Sequence, residues 1–490
     1  MGQSFQLYNS FSRKMETFVP LEEGKVRLYV CGMTVYDNAH IGHARAMVVF
    51  DAFVRYLRFR EWNVHFVRNF TDVDDKIIRR AAEANEAAMD LAERYIQAFH
   101  RDAEALGLIQ PCEEPRVSQS IPDIIALIAQ LIEGNHAYES EGSVWFDVKS
   151  FESYGGLSGQ KVDHLQSADT AAGKKHSADF ALWKAVKPGE PSWESPWGPG
   201  RPGWHIECSA MAKCCLGEEI DIHGGGLDLV FPHHENEIAQ SEAASGKKFS
   251  KYWMHNGLLT MKGGQKMGKS LGNVINIEDA IKEYPAEAIR FYLLQNHYRS
   301  PLPWSGTALD EALSMLARLY EALDVAYVMG GSEKAEDVAK SLGEDAQTVL
   351  DLGRNFVEKS IQSLNEDFNT AAVLGYAFEL ARAINRFAGH KKAKKRGGPV
   401  VKEAIAGLQQ LQQMIGLLGN DPKSFNLEVK EKRLASLGLS SDWIAEQLQA
   451  RSLARQEKDW AKSDQIRTDM EAKGILVMDT ADGVDWQIKL

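Results

Sequence analysis

The sequence predicts an α/β fold with a parallel sheet, followed by a helical bundle and a small mixed end. The first observation is a strand, loop, helix and second strand near the start of the chain. Residues 26–30 alternate apolar and polar side chains and end at Cys31-Gly32, and a second alternating run begins at Val64 and Phe66. Between them, apolar residues recur at helical spacing: Ala46, Val49, Phe53 and Leu57. This order is typical of a parallel α/β sheet.

The second observation is the helical spacing that begins after Thr307. Apolar residues step by three or four positions, as expected for core-facing sides of a helical bundle. The two sets are Leu309, Leu313, Leu316, Tyr320 and Leu323, then Val373, Tyr376, Leu380, Ile384 and Phe387. Near the end, residues 459–473 predict a helix stopped by Gly474, and residues 475–478 and 484–488 predict a hairpin around Asp482-Gly483.

Between the two α/β stretches lies a segment of different composition. Residues 150–203 are rich in Gly, Pro, Ser and Trp, which predicts an irregular insertion with too many aromatic residues for a disordered tether. The α/β pattern returns at residues 219–222. A helix with Leu91, Tyr95 and Phe99 on one side is expected within residues 85–106.

Composition narrows the class of protein. The 490 residues have ordinary hydrophobic and charged content, 44% and 25%, which excludes collagen, coiled-coil and wholly disordered proteins. The net charge of −12 argues against a generally basic nucleic-acid coat. Five irregularly spaced cysteines argue against a secreted disulfide framework, and no signal peptide or membrane span is recognisable. We therefore predict a cytoplasmic protein.

Two motifs have the chemistry of a nucleotide site. His40-Ile41-Gly42-His43 directly precedes a predicted helix, whose N-terminal N–H groups can hold phosphate. Lys266-Met267-Gly268-Lys269-Ser270 carries two lysines on a Gly-flanked loop, which can neutralise charge on a triphosphate. Each motif alone also fits ordinary solvated surface. Their occurrence together across an α/β region favours the nucleotide site.

Four residues could bind a metal ion. Cys31 ends a strand, Cys208 falls in the returning sheet region, and His233 and Glu237 are spaced so that a helix would place them on one side. Two thiols, an imidazole and a carboxylate suit zinc. From spacing alone, the alternative that Cys31 and Cys208 are small core residues stays open. We expect Cys112, Cys214 and Cys215 in the core, although Cys112 also fits a loop thiol.

Together these motifs resemble the cysteinyl-tRNA synthetases, a family of class I aminoacyl-tRNA synthetases, over essentially the whole chain. The resemblance rests on the two nucleotide motifs and on residues 31–37 (CGMTVYD), 69–76 (NFTDVDDK), 203–211 (GWHIECSAM), 223–226 (HGGG), 231–237 (FPHHENE) and 367–370 (DFNT). The sequence departs from the family pattern at Met33, where Pro is usual, and at Gly268, where Ser is usual. Neither departure removes a lysine or a histidine.

The resemblance implies a Rossmann-like parallel-sheet catalytic domain with an insertion, then a helical bundle and a small mixed anticodon-binding domain. The expected domains are the two halves of the catalytic domain (1–117 and 204–258), the insertion (118–203), the lysine-loop region (259–306), the bundle (307–420) and the anticodon-binding domain (421–490).

The resemblance also implies roles for individual residues. One zinc ion per chain would be bound by Cys31, Cys208, His233 and Glu237. ATP, with Mg²⁺, would be bound by His40, Gly42, His43, Asp228, Lys266 and Lys269, of which the histidines and lysines are also the catalytic residues. Cysteine would be bound by Thr71, Trp204 and His223. Asp228 also fits a surface carboxylate, and His223 a structural histidine.

The implied activity is the ligation of L-cysteine to tRNA(Cys) by a monomer that binds no membrane. The candidate anticodon contacts combine cations with an aromatic ring, and they are Arg451, Arg455, Lys458, Trp460, Lys462 and Arg467. A charged helix that packs through Trp460 and Met470 also explains part of this pattern. The basic run 391–396 fits either a solvated loop or a phosphate contact. Two rival functions are a cysteine–amino-sugar ligase, which lacks the anticodon end, and a non-catalytic tRNA-binding homologue, which would lose the lysines or histidines.

Overall fold

The computed structural model describes residues 4–162, 173–261, 274–480 and 483–488. The described strands are β1 (Gln6–Asn9), β2 (Lys14–Thr17), β3 (Lys25–Thr34), β4 (Asn63–Thr71), β5 (Ala137–Ser140), β6 (Ser143–Phe146), β7 (Phe180–Ala185), β8 (Gly200–Pro202), β9 (Ile220–Gly226), β10 (Ser250–Asn256), β11 (Leu259–Met261), β12 (Leu302–Trp304), β13 (Ile475–Thr480) and β14 (Gly483–Ile488).

Helices occupy most of the remaining described chain. The described α-helices are α1 (Ile41–Phe59), α2 (Asp75–Ala84), α3 (Ala88–Ala105), α4 (Ile121–Glu133), α5 (Ile206–Leu216), α6 (Glu235–Ser245), α7 (Ile277–Glu283), α8 (Ala286–Leu294), α9 (Ala308–Tyr327), α10 (Ala335–Leu342), α11 (Glu344–Asn365), α12 (Thr370–Ala388), α13 (Ala393–Arg396), α14 (Gly398–Ile415), α15 (Pro422–Ser436), α16 (Ser441–Gln456) and α17 (Trp460–Ala472).

The first compact unit comprises Met1–Val274, Asn296–Pro303 and Ile361–Thr370. Its central sheet has the order β10-β9-β3-β4 with every neighbouring pair parallel, which confirms the predicted parallel sheet. The predicted strand, helix and strand appear as β3, α1 and β4. Most apolar residues of α1 are buried, including Val49, Phe53 and Leu57, because the helix packs over the sheet, whereas Ala46 is partly exposed. Leu91, Tyr95 and Phe99 are buried on α3, also as predicted.

The insertion is more regular than its composition predicts. β5, β6, β7 and β8 form a four-stranded antiparallel sheet, and two of these strands lie inside the segment predicted to be irregular. Trp183 on β7 is fully buried and meets the ring of Trp197 edge-on at 6.2 Å. The last strand has three residues, too few to show an alternating pattern. The tryptophans therefore form a core in place of long periodic strands.

A short segment between α11 and α12 belongs to this first unit because of Asp367. Its carboxylate accepts hydrogen bonds from the Tyr8 backbone N–H at 2.9 Å, the Tyr298 hydroxyl at 2.7 Å and Arg299 Nε at 2.6 Å. Asp367 has a left-handed φ of 58°, a conformation that Asp tolerates better than most residues. The motif at residues 367–370 is therefore a junction of three chain segments.

The second compact unit comprises Ile275–Gln295, Trp304–Ser360 and Ala371–Leu490. The stripe predicted from Leu309 to Leu323 is buried on α9. On α12, Val373, Leu380, Ile384 and Phe387 are buried and Tyr376 is partly exposed. The predicted helix before Gly474 is α17, and the predicted hairpin is the antiparallel pair β13–β14.

The end of the chain has a small core of its own. The buried residues of this core come from α15, α16, α17 and the hairpin: Leu434, Ile444, Met470, Ile475, Val477 and Ile488. Gly474 follows α17 with a φ of 82°, a conformation that glycine adopts without steric cost. Residues 434–488 therefore bury apolar side chains together as one local cluster.

Candidate active site

A cleft of about 350 Å³ opens at the carboxyl ends of the parallel strands, where open α/β sheets usually bind ligands. Nine of the sequence-predicted residues line it: Cys31, His40, Gly42, His43, Thr71, Trp204, Cys208, Asp228 and His233. Lys266 and Lys269 lie outside the described residues. One cleft therefore contains most of the nucleotide, amino-acid and metal candidates.

The histidine motif forms the start of α1. His40 is the N-cap: its Nδ1 accepts from the His43 backbone N–H at 3.3 Å, while the His40 N–H donates to His43 Nδ1 at 3.2 Å. The two rings stack with centroids 3.7 Å apart. A Cβ on Gly42 would lie 2.7 Å from the His40 ring, so a larger residue would disturb this pair. With no acidic side chain in its first turn, the helix N-terminus suits an anion.

The four predicted metal ligands converge. Their ligand atoms lie within 4.8 Å of one another, although Cys31 is on β3, Cys208 on α5, His233 in the turn leading into α6 and Glu237 on α6 itself. Cys31 Sγ is 3.7 Å from Cys208 Sγ and 3.4 Å from Glu237 Oε1, and His233 Nε2 is 3.1 Å from the same carboxylate oxygen. Cys208 lies on α5, the helix that precedes β9 in the returning sheet region.

The donor set is chemically suited to a soft divalent cation. Burial raises the pKa of the Cys31 thiol well above its ordinary value, and the neighbouring Cys208 and Glu237 raise it further. A divalent cation would reverse this effect, because thiolates are stabilised by a bound metal. Two thiols, an imidazole and a carboxylate therefore fit zinc, the ion that such mixed sites commonly bind.

Aromatic and imidazole rings pack against the proposed ligand His233. Trp204 stacks on His233 with ring centroids 4.4 Å apart, and His205 Nδ1 is 3.1 Å from His233 Nδ1. Burial lowers the pKa of His233 and of His205 to about 3, so both imidazoles stay neutral over the physiological range. Neutral imidazole is the form that binds a metal.

His223 does not line the cleft and is fully buried. Its Nε2 lies 2.8 Å from Glu237 Oε2, and its ring stacks on Trp253 with centroids 4.5 Å apart. In the structure His223 therefore contacts Glu237, and its predicted contact with cysteine stays a prediction. The ligand atoms of an overlapping set, Cys31, His223, His234 and Glu237, also lie within 4.8 Å of one another.

Thr71 and Asp228 complete the predicted wall of the cleft. Thr71 Oγ1 donates to Glu207 Oε2 at 3.2 Å, and burial raises the pKa of Glu207 well above its ordinary value. The sequence prediction missed Glu207 and Asn69, the second of which lines the cleft. Their positions beside Cys208 and Thr71, within two family motifs, were the available signals.

The structure treats the other three cysteines differently. Cys215 is half-buried at the end of α5 and packs against the core, in agreement with the prediction. Cys112 and Cys214 are exposed, so the core prediction is wrong for Cys214, and for Cys112 the loop alternative agrees with the structure.

The anticodon candidates separate into paired and exposed residues. Arg451 is buried and forms two hydrogen bonds with the Asp479 carboxylate, at 2.9 and 3.0 Å, and Arg455 binds the same group at 2.7 Å. Trp460 is 58% exposed, so the alternative that it packs into the helix core is wrong, whereas Met470 is buried. In the basic run, Arg396 pairs with Glu333 at 2.8 Å.

Comparison with known proteins identifies the family. Residues 17–314 match the tRNA synthetases class I (C) catalytic domain, residues 359–419 the DALR domain, and residues 442–486 the cysteinyl-tRNA ligase anticodon binding domain. The cysteine–tRNA ligase of Methylococcus capsulatus is 47% identical over 487 residues, covering 98% of this chain and 99% of the relative. The chain belongs to the cysteine–tRNA ligase family.

Further relatives agree with this family. The cysteine–tRNA ligase of Geobacter metallireducens is 44% identical, covering 99% of this chain and 100% of the relative. The solved structure of Mycobacterium tuberculosis methionyl-tRNA synthetase in complex with methionyl-adenylate superposes with a TM-score of 0.61 at 14% identity, covering 85% of this chain and 94% of that chain. The fold is thus that of a class I aminoacyl-tRNA synthetase, an enzyme class that charges tRNA. No described helix is long and apolar enough to cross a membrane.

Proposed function

We propose that this chain joins L-cysteine to tRNA(Cys) in two steps within the described cleft. In the first, a carboxylate oxygen of cysteine attacks the α-phosphorus of ATP, forming cysteinyl-adenylate and releasing pyrophosphate. In the second, a hydroxyl of the terminal tRNA ribose attacks the acyl carbon and AMP leaves. The observation that carries the proposal is that one cleft joins the histidine motif to three of the four proposed metal ligands, with the ligand atom of the fourth, the buried Glu237, within 4.8 Å of theirs.

Each group of residues in the cleft would bind a different part of the substrates. The start of α1, with His40, Gly42 and His43, would hold phosphate oxygens through backbone N–H groups and imidazoles. Lys266 and Lys269 would neutralise charge that develops on the phosphates, with Mg²⁺ accompanying ATP, and Asp228 would hold the ribose. Thr71 and Trp204 would form the wall beside cysteine. Catalysis then depends on positioning and electrostatics, because the adenylate is already an activated acyl group.

We propose that Cys31, Cys208, His233 and Glu237 hold one zinc ion per chain. When bound, zinc would supply a soft Lewis-acidic centre that favours a thiolate over a hydroxyl group. Trp204 stacks on His233 at the edge of this cluster, so it would close the wall around a cysteine side chain. Cytoplasmic location and a monomeric state stay predictions.

Two assays test the proposal against its rivals. Cysteine-dependent exchange of pyrophosphate into ATP reports the first step, and its absence would leave only a tRNA-binding role. Charging of tRNA(Cys) reports the second step. An amino-sugar ligase would show exchange without charging. The match of residues 442–486 to an anticodon binding domain supports charging.

Selectivity gives a quantitative prediction. A pocket that relies on size and hydrophobicity separates near-isosteres such as cysteine and serine by only about 10²-fold. Because a metal centre prefers thiolate, we expect discrimination in adenylation efficiency to exceed that limit. The measurement is kcat/KM of pyrophosphate exchange for each amino acid, with the cobalt-substituted enzyme monitored for a new cobalt–thiolate band when cysteine is added. A ratio below about 10², or no new band, would assign the metal a structural role.

The lysine loop gives a second prediction. Lys269→Ala is expected to slow adenylate formation by on the order of 10²–10³, since it removes a charge that acts mainly in the transition state. Affinity for cysteine should change little. Rapid-quench measurement of the first step tests this, with Lys247→Ala as the control, because Lys247 is an exposed lysine paired with Glu218 at 3.0 Å. A normal first step combined with slow transfer to tRNA would contradict the assignment.

A further inference from the structure

Asn69 on β4 contacts elements that carry two of the proposed zinc ligands. Its side chain is 1% exposed and forms part of the cleft wall. Its Oδ1 accepts the Gly32 backbone N–H at 2.8 Å, directly after Cys31, and lies 3.7 Å from Cys208 Sγ. The amide therefore sits between the strand that carries Cys31 and the helix that carries Cys208.

The strand pairing explains why a side chain is needed at this point. Val30 is paired with Arg68, and Met33 with Phe70, so two residues of β3, Cys31 and Gly32, face the single residue Asn69. Such a bulge interrupts the ladder of backbone hydrogen bonds and redirects a side chain, often beside an active site. The Gly32 N–H donates to the Asn69 side chain in place of a ladder carbonyl.

Gly32 lies so close to the backbone of Asn69 that there is no room for a side chain at position 32. A Cβ at this position would lie 1.6 Å from the backbone oxygen of Asn69, so no other residue fits without moving one of the strands. The Gly32 N–H also sets the orientation of the amide, because the reverse orientation would place two donors face to face. Among the described residues, Asn69 Nδ2 then has no hydrogen-bond partner.

We propose that Asn69 is a positioning residue for the metal site. Its Oδ1 holds the Cys31-Gly32 bulge in the geometry that directs Cys31 Sγ towards Cys208, Glu237 and the bound ion. This inference rests on the proposed function, because it assumes that the four ligands bind zinc. Residues that orient metal ligands in this way typically contribute 10–100-fold to metal affinity or activity.

The test compares two substitutions of Asn69 with a matched control in the full-length chain. Asn69→Ala removes the acceptor, whereas Asn69→Asp keeps an oxygen for the Gly32 N–H. Asn256→Ala is the control: Asn256 is also an asparagine at the end of a parallel strand, is 2% exposed and lines the same cleft, but its Nδ2 donates to the Gly257 carbonyl at 3.2 Å. Thermal unfolding of each apo chain monitors folding.

Two readouts separate positioning from activity. Zinc affinity is measured by competition with a chelator, and ligand geometry by the absorption bands of the cobalt-substituted chain. For Asn69→Ala we expect roughly 10–100-fold weaker zinc binding, altered cobalt–thiolate bands and a KM for cysteine that rises more than the KM for ATP. Asn69→Asp is expected to restore the wild-type bands, and Asn256→Ala to leave zinc affinity unchanged.

Several outcomes would overturn the inference. Wild-type zinc affinity in Asn69→Ala would show that the bulge keeps its geometry without the amide. Equal loss of zinc affinity in Asn69→Ala and Asn69→Asp would show that the Nδ2 donor, not Oδ1, is what matters. A raised KM for cysteine in both variants with unchanged zinc binding would indicate a direct contact with substrate. If the unsubstituted chain itself bound no zinc, the proposed metal site would fail, a result distinct from these three.

Discussion

Removal of residues 437–490 is expected to abolish charging of tRNA(Cys) while cysteine-dependent pyrophosphate exchange continues near the full-length rate. Every residue proposed to bind cysteine, ATP or the metal lies between Cys31 and Lys269, far from the deleted segment in sequence. The removed part has its own small core, to which Leu434 contributes from the retained part. Loss of charging alone would therefore report lost recognition of tRNA.

The deletion begins at residue 437 so that α15 stays intact. Arg433 on this helix pairs with Asp310 at 2.9 Å, and Lys432 donates to the Ile281 carbonyl, so a deletion that begins at Leu434 would shorten a helix braced within the second unit. A cut after Ser436 leaves α15 whole, with Leu434 as its newly exposed apolar residue. Replacing Leu434 by Ser in the shortened chain removes that exposed side chain.

A point variant distinguishes recognition of tRNA by the tail from a structural role of the tail. Trp460 is exposed at the start of α17, and stacking on an aromatic ring contributes about 1–3 kcal/mol per unpaired base. Trp460→Ala should therefore raise the KM for tRNA and leave exchange unchanged. Arg451→Ala is the contrasting variant, because it breaks the pair with Asp479 and should lower the thermal stability of the tail. Loss of exchange together with charging in the deletion would instead assign the tail a bracing role.

Local patterns predicted elements of both compact units. Alternation at residues 26–30 and helical spacing in α1 and α9 were sufficient, because burial of one side of an element leaves a periodic signal in the sequence. β7 and β8 were missed, since β7 is buried over four consecutive residues without alternation and the three residues of β8 contain no period. The tryptophans around β8 pointed to burial without indicating which residues pair.

The contacts within the metal cluster could be predicted only in part from local sequence patterns. The four-residue spacing could place His233 near Glu237, but no local pattern could place Cys31 near Cys208. These two cysteines are 177 positions apart in the sequence, and their Sγ atoms lie 3.7 Å apart. The family resemblance supplied that pairing. Asn69 could not be identified as a partner of Gly32, because the contact depends on a one-residue shift between two parallel strands. Such a shift is a property of the folded sheet.

The Cys208→Ser variant is expected to lose its zinc and, with it, nearly all cysteine-dependent pyrophosphate exchange. A serine hydroxyl is a harder and far less acidic ligand than a thiol, so it is a poor replacement in a site that favours soft donors. The remaining Cys31, His233 and Glu237 would form an incomplete set. The loss should exceed the 10–100-fold that is typical when a residue outside the ligand set is changed.

The same helix supplies a matched control for Cys208→Ser. Cys215 lies seven positions further along α5, is half-buried and does not line the cleft. Cys215→Ser makes the same chemical change on the same helix and should retain one zinc per chain and full exchange. Metal analysis of the purified chains, with exchange measured in parallel, tests both variants.

Binding of ATP distinguishes loss of the metal from loss of the fold. The histidine motif at the start of α1 is held by hydrogen bonds between His40 and His43, none of which involves Cys208. Cys208→Ser should therefore bind ATP with the affinity of the wild-type chain and unfold at the temperature of the zinc-free wild type. Full zinc content together with full exchange in this variant would show that Cys208 is a core residue, the alternative that spacing alone left open, and that cysteine is selected elsewhere in the cleft.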